Sequence, residues 1–216
     1  MSIRNSKFVS RNYKKGMSYV ELIVVLSIFS LLSGVIIYNY QGFQSKVDIK
    51  SLANDIALKI VDAQKTSLSG QLPQATFASD WKPSYGVFFD LYSKSSSFDN
   101  KGFVYFVDLD QDGMTVGCTS KKDGDGGTEC LEKVSLTKNN IISKLVVFYQ
   151  SDPNNPSPLK DADLAITFSR PSSSAVFYSL GAKLEDVSHV EITTISPDSS
   201  SQAVIRVYSS GRIQVN

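Results

Sequence analysis

A basic leader followed by an apolar segment constrains this chain more than any other feature. The leader, residues 1–16, contains five cationic side chains and no acidic one, and it ends in Gly16. The apolar segment that follows carries one carboxylate, Glu21, and no formal charge from Leu22 to Ile37. A helix over residues 17–40 would be about 36 Å long at a rise of ~1.5 Å per residue, which is enough to cross a bilayer.

The charge distribution also predicts an orientation. Cationic residues before an apolar span hold that end on the cytoplasmic side, so we expect a single-pass protein of the inner (cytoplasmic) membrane with its C-terminal domain outside the cytoplasm. A cleaved secretory signal and a plain signal anchor are the alternatives; for the former, Ser33-Gly34 is only a weak match to a cleavage site. Neither alternative accounts for Glu21, because a carboxylate within a membrane segment costs roughly 2.5–3.5 kcal/mol and by default marks a function.

The segment Lys15-Gly16-Met17, with Glu21 and the apolar run, resembles the leader of the type IV pilin superfamily. That family contains pilins, minor pilins and the pseudopilins of type II secretion. The resemblance implies cleavage between Gly16 and Met17 by a prepilin peptidase and N-methylation of Met17, where most members have Phe. It also implies that Glu21 pairs with the N-terminal amine of a neighbouring subunit during assembly. A carboxylate and an ammonium compensate each other's burial, which agrees with that role.

A helical pattern continues beyond the apolar segment. An apolar stripe recurs at spacings of three to five residues and consists of Phe43, Val47, Leu52, Ile56, Ile60 and Ala63. Asp55 and Lys59 have the spacing of a helical ion pair, and Ser69-Gly70 predicts the helix end. We therefore expect one helix of about 50 residues, with a transmembrane or filament-core segment, 17–41, and an amphipathic stem, 42–70.

The remainder, 71–216, is predicted to be an extracytoplasmic β domain. Short segments rich in Val, Ile, Phe and Tyr are bounded by turn residues, which is typical of strands. The predicted strands are 85–91, 102–107, 144–150, 164–169, 175–180, 190–195, 203–209 and 212–215, and 150–163 is predicted to be a loop. The fold class is therefore α+β, with a long N-terminal helix packed on a C-terminal antiparallel β-sheet domain.

Parts of this body resemble a narrower family, the H-type pseudopilins and T-type minor pilins. The resemblance is carried by the segments 85–89, 104–112, 166–171 and 205–215. It implies a type IV pilin-like arrangement of the helix and the sheet.

An acidic turn is the one candidate for a metal site. Asp108, Asp110, Asp112 and Gly113 have the D-x-D-x-D-G spacing of a calcium loop, but Thr119 stands where an EF-hand requires glutamate. We therefore predict a calcium site of another type, for which further acidic residues are available. The candidate ligands are Asp108, Asp110, Asp112 and Asp125, with Asp123, Glu129 and Glu132 as further acids that could complete the site. A solvated turn without metal is the alternative, since Asp and Gly are common turn residues.

Two cysteines, Cys118 and Cys130, lie in the half predicted to be outside the cytoplasm, where disulfides persist. We expect a disulfide between them, closing a loop of about 13 residues and contributing ~3 kcal/mol against the unfolded state. Two unpaired thiols are the alternative. Zinc is disfavoured because the chain has one histidine, His189, and no further cysteine.

These features favour a structural role. We find no nucleophile motif or phosphate loop and expect no enzyme. The leading hypothesis is a pseudopilin or minor pilin that joins a type IV pilus or a type II secretion pseudopilus. Its partners would be a prepilin peptidase, the inner membrane before assembly and other pilin-like subunits.

The alternative is a binding module at a filament tip, for DNA uptake or adhesion. Loss of the five leader cations would change the formal charge from +1 to −4. A nucleic-acid surface requires clustered cations, whereas Arg206, Arg212 and the lysines at 121–122 are scattered. Nucleic acid is therefore not the favoured partner.

Overall fold

The computed structural model describes residues 16–70, 83–91, 100–113, 115, 129–159 and 163–216. One long helix, α1, runs from Tyr19 to Ser69 and has 51 residues, in agreement with the predicted length. Two compact units share the chain, Met1–Gln41 and Gly42–Asn216. The first contains the apolar part of α1, and the second contains the rest of α1 and every described strand.

Eleven strands in the described residues form two antiparallel sheets. The first sheet has the order β3-β2-β1-β6-β7-β8 and the second the order β11-β10-β9-β4-β5. The bounds are β1 Ser84–Asp90, β2 Gly102–Asp108, β3 Cys130–Ser135, β4 Ile141–Tyr149, β5 Ser157–Pro158, β6 Asp163–Phe168, β7 Ala175–Ser179, β8 Ala182–Lys183, β9 Val187–Ile195, β10 Gln202–Tyr208 and β11 Ile213–Val215. The molecule is therefore α+β, as predicted.

The eight predicted strands are all present, with ends displaced by at most three residues. Three further strands, β3, β5 and β8, were not predicted. The prediction of an uninterrupted loop at 150–163 is wrong at β5, because Ser157 and Pro158 pair with Val147 and Val146 of β4 at the sheet edge.

One hydrophobic core joins α1 to both sheets within Gly42–Asn216. The buried helix residues are Ile49, Leu52, Ala53, Ile56, Ala57, Ile60 and Ala63. They share a cluster with β1, β2 and β6 of the first sheet and with β4, β9 and β10 of the second. The predicted stripe is wrong at its start, because Phe43 and Val47 are 65% and 45% exposed and burial begins at Ile49.

The first sheet also carries a smaller cluster on its opposite face. Phe88, Val104, Phe106 and Ala165 form it, alternating along their strands with residues of the main core. Such alternation places successive side chains on opposite faces, so β1, β2 and β6 are buried on both sides. Gly86 lies among them, and a Cβ atom there would lie 2.6 Å from the carbonyl oxygen of Ile166.

Ion pairs connect α1 to strand β3 and to the loop between β3 and β4. Lys59 Nζ lies 2.5 Å from Glu132 Oε2 on β3, and Lys138 Nζ lies 2.7 Å from Asp48 Oδ2. Lys59 therefore pairs with Glu132, and the predicted pairing with Asp55 is wrong. An ion pair across elements of this kind contributes about 0–1 kcal/mol when exposed.

Candidate functional site

The N-terminal candidate site lies at the start of α1. Gly16 and Met17 precede the helix and are exposed, Met17 by 62%. The first turn closes with a hydrogen bond of 3.1 Å from the Leu22 amide to the Ser18 carbonyl oxygen. Glu21 lies in this turn, where a carboxylate interacts favourably with the positive end of the helix dipole. Leader residues 1–15 lie outside the described residues.

The apolar part of α1 meets the length and composition requirements of a membrane span. Among the described residues it is the one helix that does so, with a mean hydropathy of 2.6 in its best 18-residue window. None of that window is buried within the molecule, unlike the core helix of a soluble protein. A signal sequence near the N-terminus meets the same requirements.

The second candidate site lies where β2 ends and β3 begins. The Glu129 carbonyl oxygen accepts a hydrogen bond of 2.8 Å from the Val107 amide. Its carboxylate oxygen Oε1 accepts another of 2.9 Å from the Leu109 amide. These two contacts hold Glu129 beside the turn that follows β2. The residue is buried there, with 7% of its surface exposed.

The turn after β2 is organised by its own acidic side chains. Asp108 Oδ2 accepts a hydrogen bond of 3.1 Å from the Gly113 amide, and Asp110 Oδ1 accepts one of 3.2 Å from the Asp112 amide. Gln111 and Gly113 have φ values of 64° and 79°, a region that glycine tolerates best. The D-x-D-x-D-G pattern thus forms a tight turn that aims Asp108 inward.

The structure brings together a different set of acids from the predicted one. Carboxylate oxygens of Asp108, Asp110 and Glu129, one from each, all lie within 4.8 Å of one another. Asp112 is exposed and is not part of this group of three, so its role as a ligand stays a prediction. Asp125 lies outside the described residues. We refer to Asp108, Asp110 and Glu129 as the carboxylate cluster.

Burial and mutual repulsion raise the pKa values of two cluster members. Burial, followed by the charge of Asp112, raises the pKa of Asp108 to about 6. Burial is also the largest cause for Glu129, whose pKa rises to about 7, with Asp110, Asp108 and Asp112 adding to it. Backbone hydrogen bonds oppose both shifts. The cluster thus concentrates negative charge where water is largely excluded.

Glu129 was recognised in the sequence only as one of several acids that could complete a site. Its position depends on the pairing of β2 with β3, where Phe106 lies opposite Cys130 after a register shift. Strand β3 itself was not predicted. The signal that identifies Glu129 is therefore strand register, which the local sequence does not carry.

Cys130, the first residue of β3, is disulfide-bonded. The chain has one other cysteine, Cys118, which lies outside the described residues. The bonded cysteine is adjacent to Glu129, so a covalent link is attached at the start of β3 beside the carboxylate cluster.

His189 takes part in an aromatic stack. Its ring lies 4.3 Å from that of Phe148 at 9°, and 5.1 Å from that of Tyr208 at 30°. Its Nδ1 lies 3.4 Å from the hydroxyl oxygen of the adjacent Ser188. The His189 ring is therefore packed between the rings of Phe148 and Tyr208.

The predicted basic residues have local partners. Arg206 Nε lies 2.5 Å from Glu191 Oε1, and the Arg212 guanidinium lies 3.9 Å above the Tyr208 ring. The lysines at 121–122 lie outside the described residues. Arg206 on β10 and Arg212 in the turn before β11 are therefore both engaged in intramolecular contacts.

The chain matches no protein-family model, no curated protein sequence and no solved structure at a significant level.

Proposed function

We propose that this protein is a pilin-like structural subunit, a pseudopilin or minor pilin of a type IV pilus or a type II secretion pseudopilus. In this proposal a prepilin peptidase cleaves between Gly16 and Met17, and the mature protein remains in the inner membrane until it is assembled into the filament. The single observation that carries the proposal is a basic leader ending in Gly16, followed by an apolar helix with one carboxylate, Glu21.

The exposure of the apolar segment supports this assignment. Tyr19, Val20, Phe29, Leu31 and Ile36 are each at least 66% exposed. Apolar surface on this scale requires cover by lipid or by another protein. A segment that moves from the membrane into a filament would be covered in both places.

Glu21 distinguishes a filament subunit from a simple anchor. In a bilayer its carboxylate costs roughly 2.5–3.5 kcal/mol. Cleavage before Met17 creates an ammonium whose reference pKa is about 8. In a filament, the ammonium of one subunit would neutralise Glu21 of the next, so assembly would remove the cost that the membrane imposes.

Intact mass of the membrane-extracted protein tests the processing step. The expected mass lacks residues 1–16 and includes one added methyl group. It is also lower by two hydrogens when the cysteines are bonded. A mass that includes the leader would contradict the proposal.

The Glu21→Ala variant tests the assembly step. Removing the carboxylate lowers the insertion cost, so membrane extraction should yield as much variant as wild type, while recovery of crosslinked neighbouring subunits should be lost. Ser27→Ala is the matched control, because the Ser27 hydroxyl lies in the same segment and donates to Ile23 of its own helix at 2.8 Å. Normal crosslinking of Glu21→Ala would overturn the assembly role.

A further inference from the structure

We propose that Asp108, Asp110 and Glu129 bind a divalent cation, and that Ca²⁺ is the ion that fits. The site connects the turn after β2 to Glu129, the residue directly before β3. This inference does not depend on the proposed filament role, since it rests on the geometry of the β domain.

The spacing of the carboxylates meets the distance condition for a shared ion. Ca²⁺ binds oxygens at about 2.3–2.6 Å, so two oxygens on one ion lie at most ~5.2 Å apart. One oxygen from each of Asp108, Asp110 and Glu129 satisfies this limit with both others. Mg²⁺, with bonds of about 2.0–2.1 Å, requires closer oxygens and a stricter octahedral arrangement.

An unpartnered buried atom points independently to a missing ligand. Asp108 is 2% exposed, and its oxygen Oδ1 has no hydrogen-bond partner within the part of the chain that the structure describes, whereas Oδ2 accepts from the Gly113 amide. A buried polar atom without a partner costs about 1–3 kcal/mol, so such atoms are rare in folded proteins. A cation bound at the cluster would satisfy Oδ1 and remove that cost.

The charge balance of the cluster leads to the same conclusion. The principal influences on Asp108 and Glu129 are burial, backbone hydrogen bonds and other carboxylates, and no lysine or arginine of the described residues is among them. The basic residue Lys59, by contrast, pairs with Glu132 farther along β3. Buried carboxylates without a basic partner are normally protonated or coordinate a metal. Three carboxylates with water completing the shell suit a hard oxygen-seeking ion such as Ca²⁺.

Titration of the full chain with CaCl2 tests the proposal. The chain is purified in detergent, stripped with a chelator, and studied by isothermal titration calorimetry at pH 7.5. We expect one Ca²⁺ per chain, with a Kd of about 10⁻⁴–10⁻³ M, the range of extracellular modules. MgCl2 should bind at least about tenfold more weakly, because Mg²⁺ demands a near-ideal octahedral shell and gives up its water reluctantly.

Two charge-removing variants and one control complete the experiment. Glu129→Gln and Asp108→Asn should each abolish measurable Ca²⁺ binding. Both should still fold in chelator, since they retain the side-chain shape and remove a buried charge. Glu132→Gln is the matched control, because it removes an acid of β3 that is close to Glu129 in sequence but outside the cluster, and it should bind Ca²⁺ as the wild type does.

The unfolding temperature provides a second readout. CaCl2 should raise it for the wild type and for Glu132→Gln, and should leave Glu129→Gln and Asp108→Asn unchanged. The proposal is overturned when the wild type shows no binding at ~10 mM CaCl2, tenfold above the weakest Kd expected. Binding by both cluster variants with wild-type affinity would overturn it equally.

Discussion

The side chain of Gln64 in α1 is hydrogen-bonded to Gly211 in the hairpin between β10 and β11. The Gln64 Nε2 atom donates to the Gly211 carbonyl oxygen at 3.1 Å and to the Ser173 carbonyl oxygen at 2.8 Å. One amide thus joins the helix to two loops that lie more than 100 residues away in sequence. The hairpin packs so closely on these groups that the third residue of its turn must be glycine.

The first prediction concerns that glycine. Gly211 has a φ of 84°, and a Cβ atom there would overlap the Ser173 carbonyl oxygen. Gly211→Ala should therefore lower the unfolding temperature by more than backbone strain alone would. Gly181→Ala is the control, because Gly181 has a φ of 73° and open space around the added Cβ. The Gly181→Ala variant should lose only the unfolding free energy that corresponds to backbone strain, about 1–2 kcal/mol.

Thermal unfolding followed by circular dichroism measures both variants. Equal losses for Gly211→Ala and Gly181→Ala would show that the hairpin is not held against Ser173 and Gln64.

The second prediction compares two apolar residues of the same helical turn. Ile56 is fully buried in the core, whereas Leu58 is 66% exposed. Ile56→Ala should cost about 2–5 kcal/mol of unfolding free energy, since it leaves a cavity among packed side chains. Leu58→Ala should cost less than ~0.5 kcal/mol, as is usual for surface substitutions. Urea unfolding of the two variants in detergent distinguishes them, and a larger loss for Leu58→Ala would contradict the assigned helix face.

The sequence was sufficient to predict the helix and most strands. The apolar run beginning at Leu22 and the Ser69-Gly70 end signal together account for the length of α1. Alternating aromatic and β-branched residues similarly identify β1 and β10. These elements were predictable because their side-chain pattern reflects which face is buried.

Tertiary contacts decided the features that were missed. Phe43 and Val47 continue the apolar period, yet they remain exposed because the core begins at Ile49. Strand β3 has the polar sequence CLEKVS and mostly exposed side chains, and it forms because it pairs with the edge of β2. Glu129 enters the carboxylate cluster through this pairing, so neither the strand nor the ligand had a local sequence signal.

The third prediction concerns the turn between β9 and β10. Asp198 has its pKa lowered to about 2, chiefly by hydrogen bonds from Ser196 and Ser200. The Ser196 hydroxyl donates to Asp198 Oδ1 at 2.6 Å, and the Ser200 amide donates to the same atom at 3.2 Å. The carboxyl ¹³C signal of Asp198 should therefore titrate with a midpoint near 2.

Two serine variants test the causes of that shift. Ser196→Ala should raise the pKa of Asp198 more than Ser200→Ala, because the Ser196 hydroxyl is the largest influence on that pKa. In Ser200→Ala the backbone amide of residue 200 still donates to Asp198. A folded pKa below the usual 3.8 favours the folded state above pH ~3.8, and that contribution is lost as the pH falls through about 2. A greater effect of Ser200→Ala would contradict the assigned hydrogen bonds.

The fourth prediction uses the one histidine of the chain, whose ring signals are free of overlap from other histidines. Burial lowers the pKa of His189 below 6.5, with Arg206 acting in the same direction and Glu191 opposing them. The ring ¹H and ¹⁵N shifts should thus titrate with a midpoint below 6.5. A midpoint above that value would show that His189 is not held between Phe148 and Tyr208.

The same shift predicts how His189 affects stability. The unfolded state binds the proton first, so the neutral ring contributes stability above pH ~6.5, and the contribution is lost as the pH falls through the folded pKa. Asp108 and Glu129 act in the opposite direction, because their raised pKa values favour the folded state at low pH.

His189→Phe retains an aromatic ring in the stack but cannot bind a proton. The difference in unfolding free energy between wild type and His189→Phe should therefore isolate the histidine, with the wild type losing relative stability as the pH falls below 6.5. An unchanged difference between pH 7.5 and 5 would contradict the burial of His189, since only an unshifted pKa gives that result.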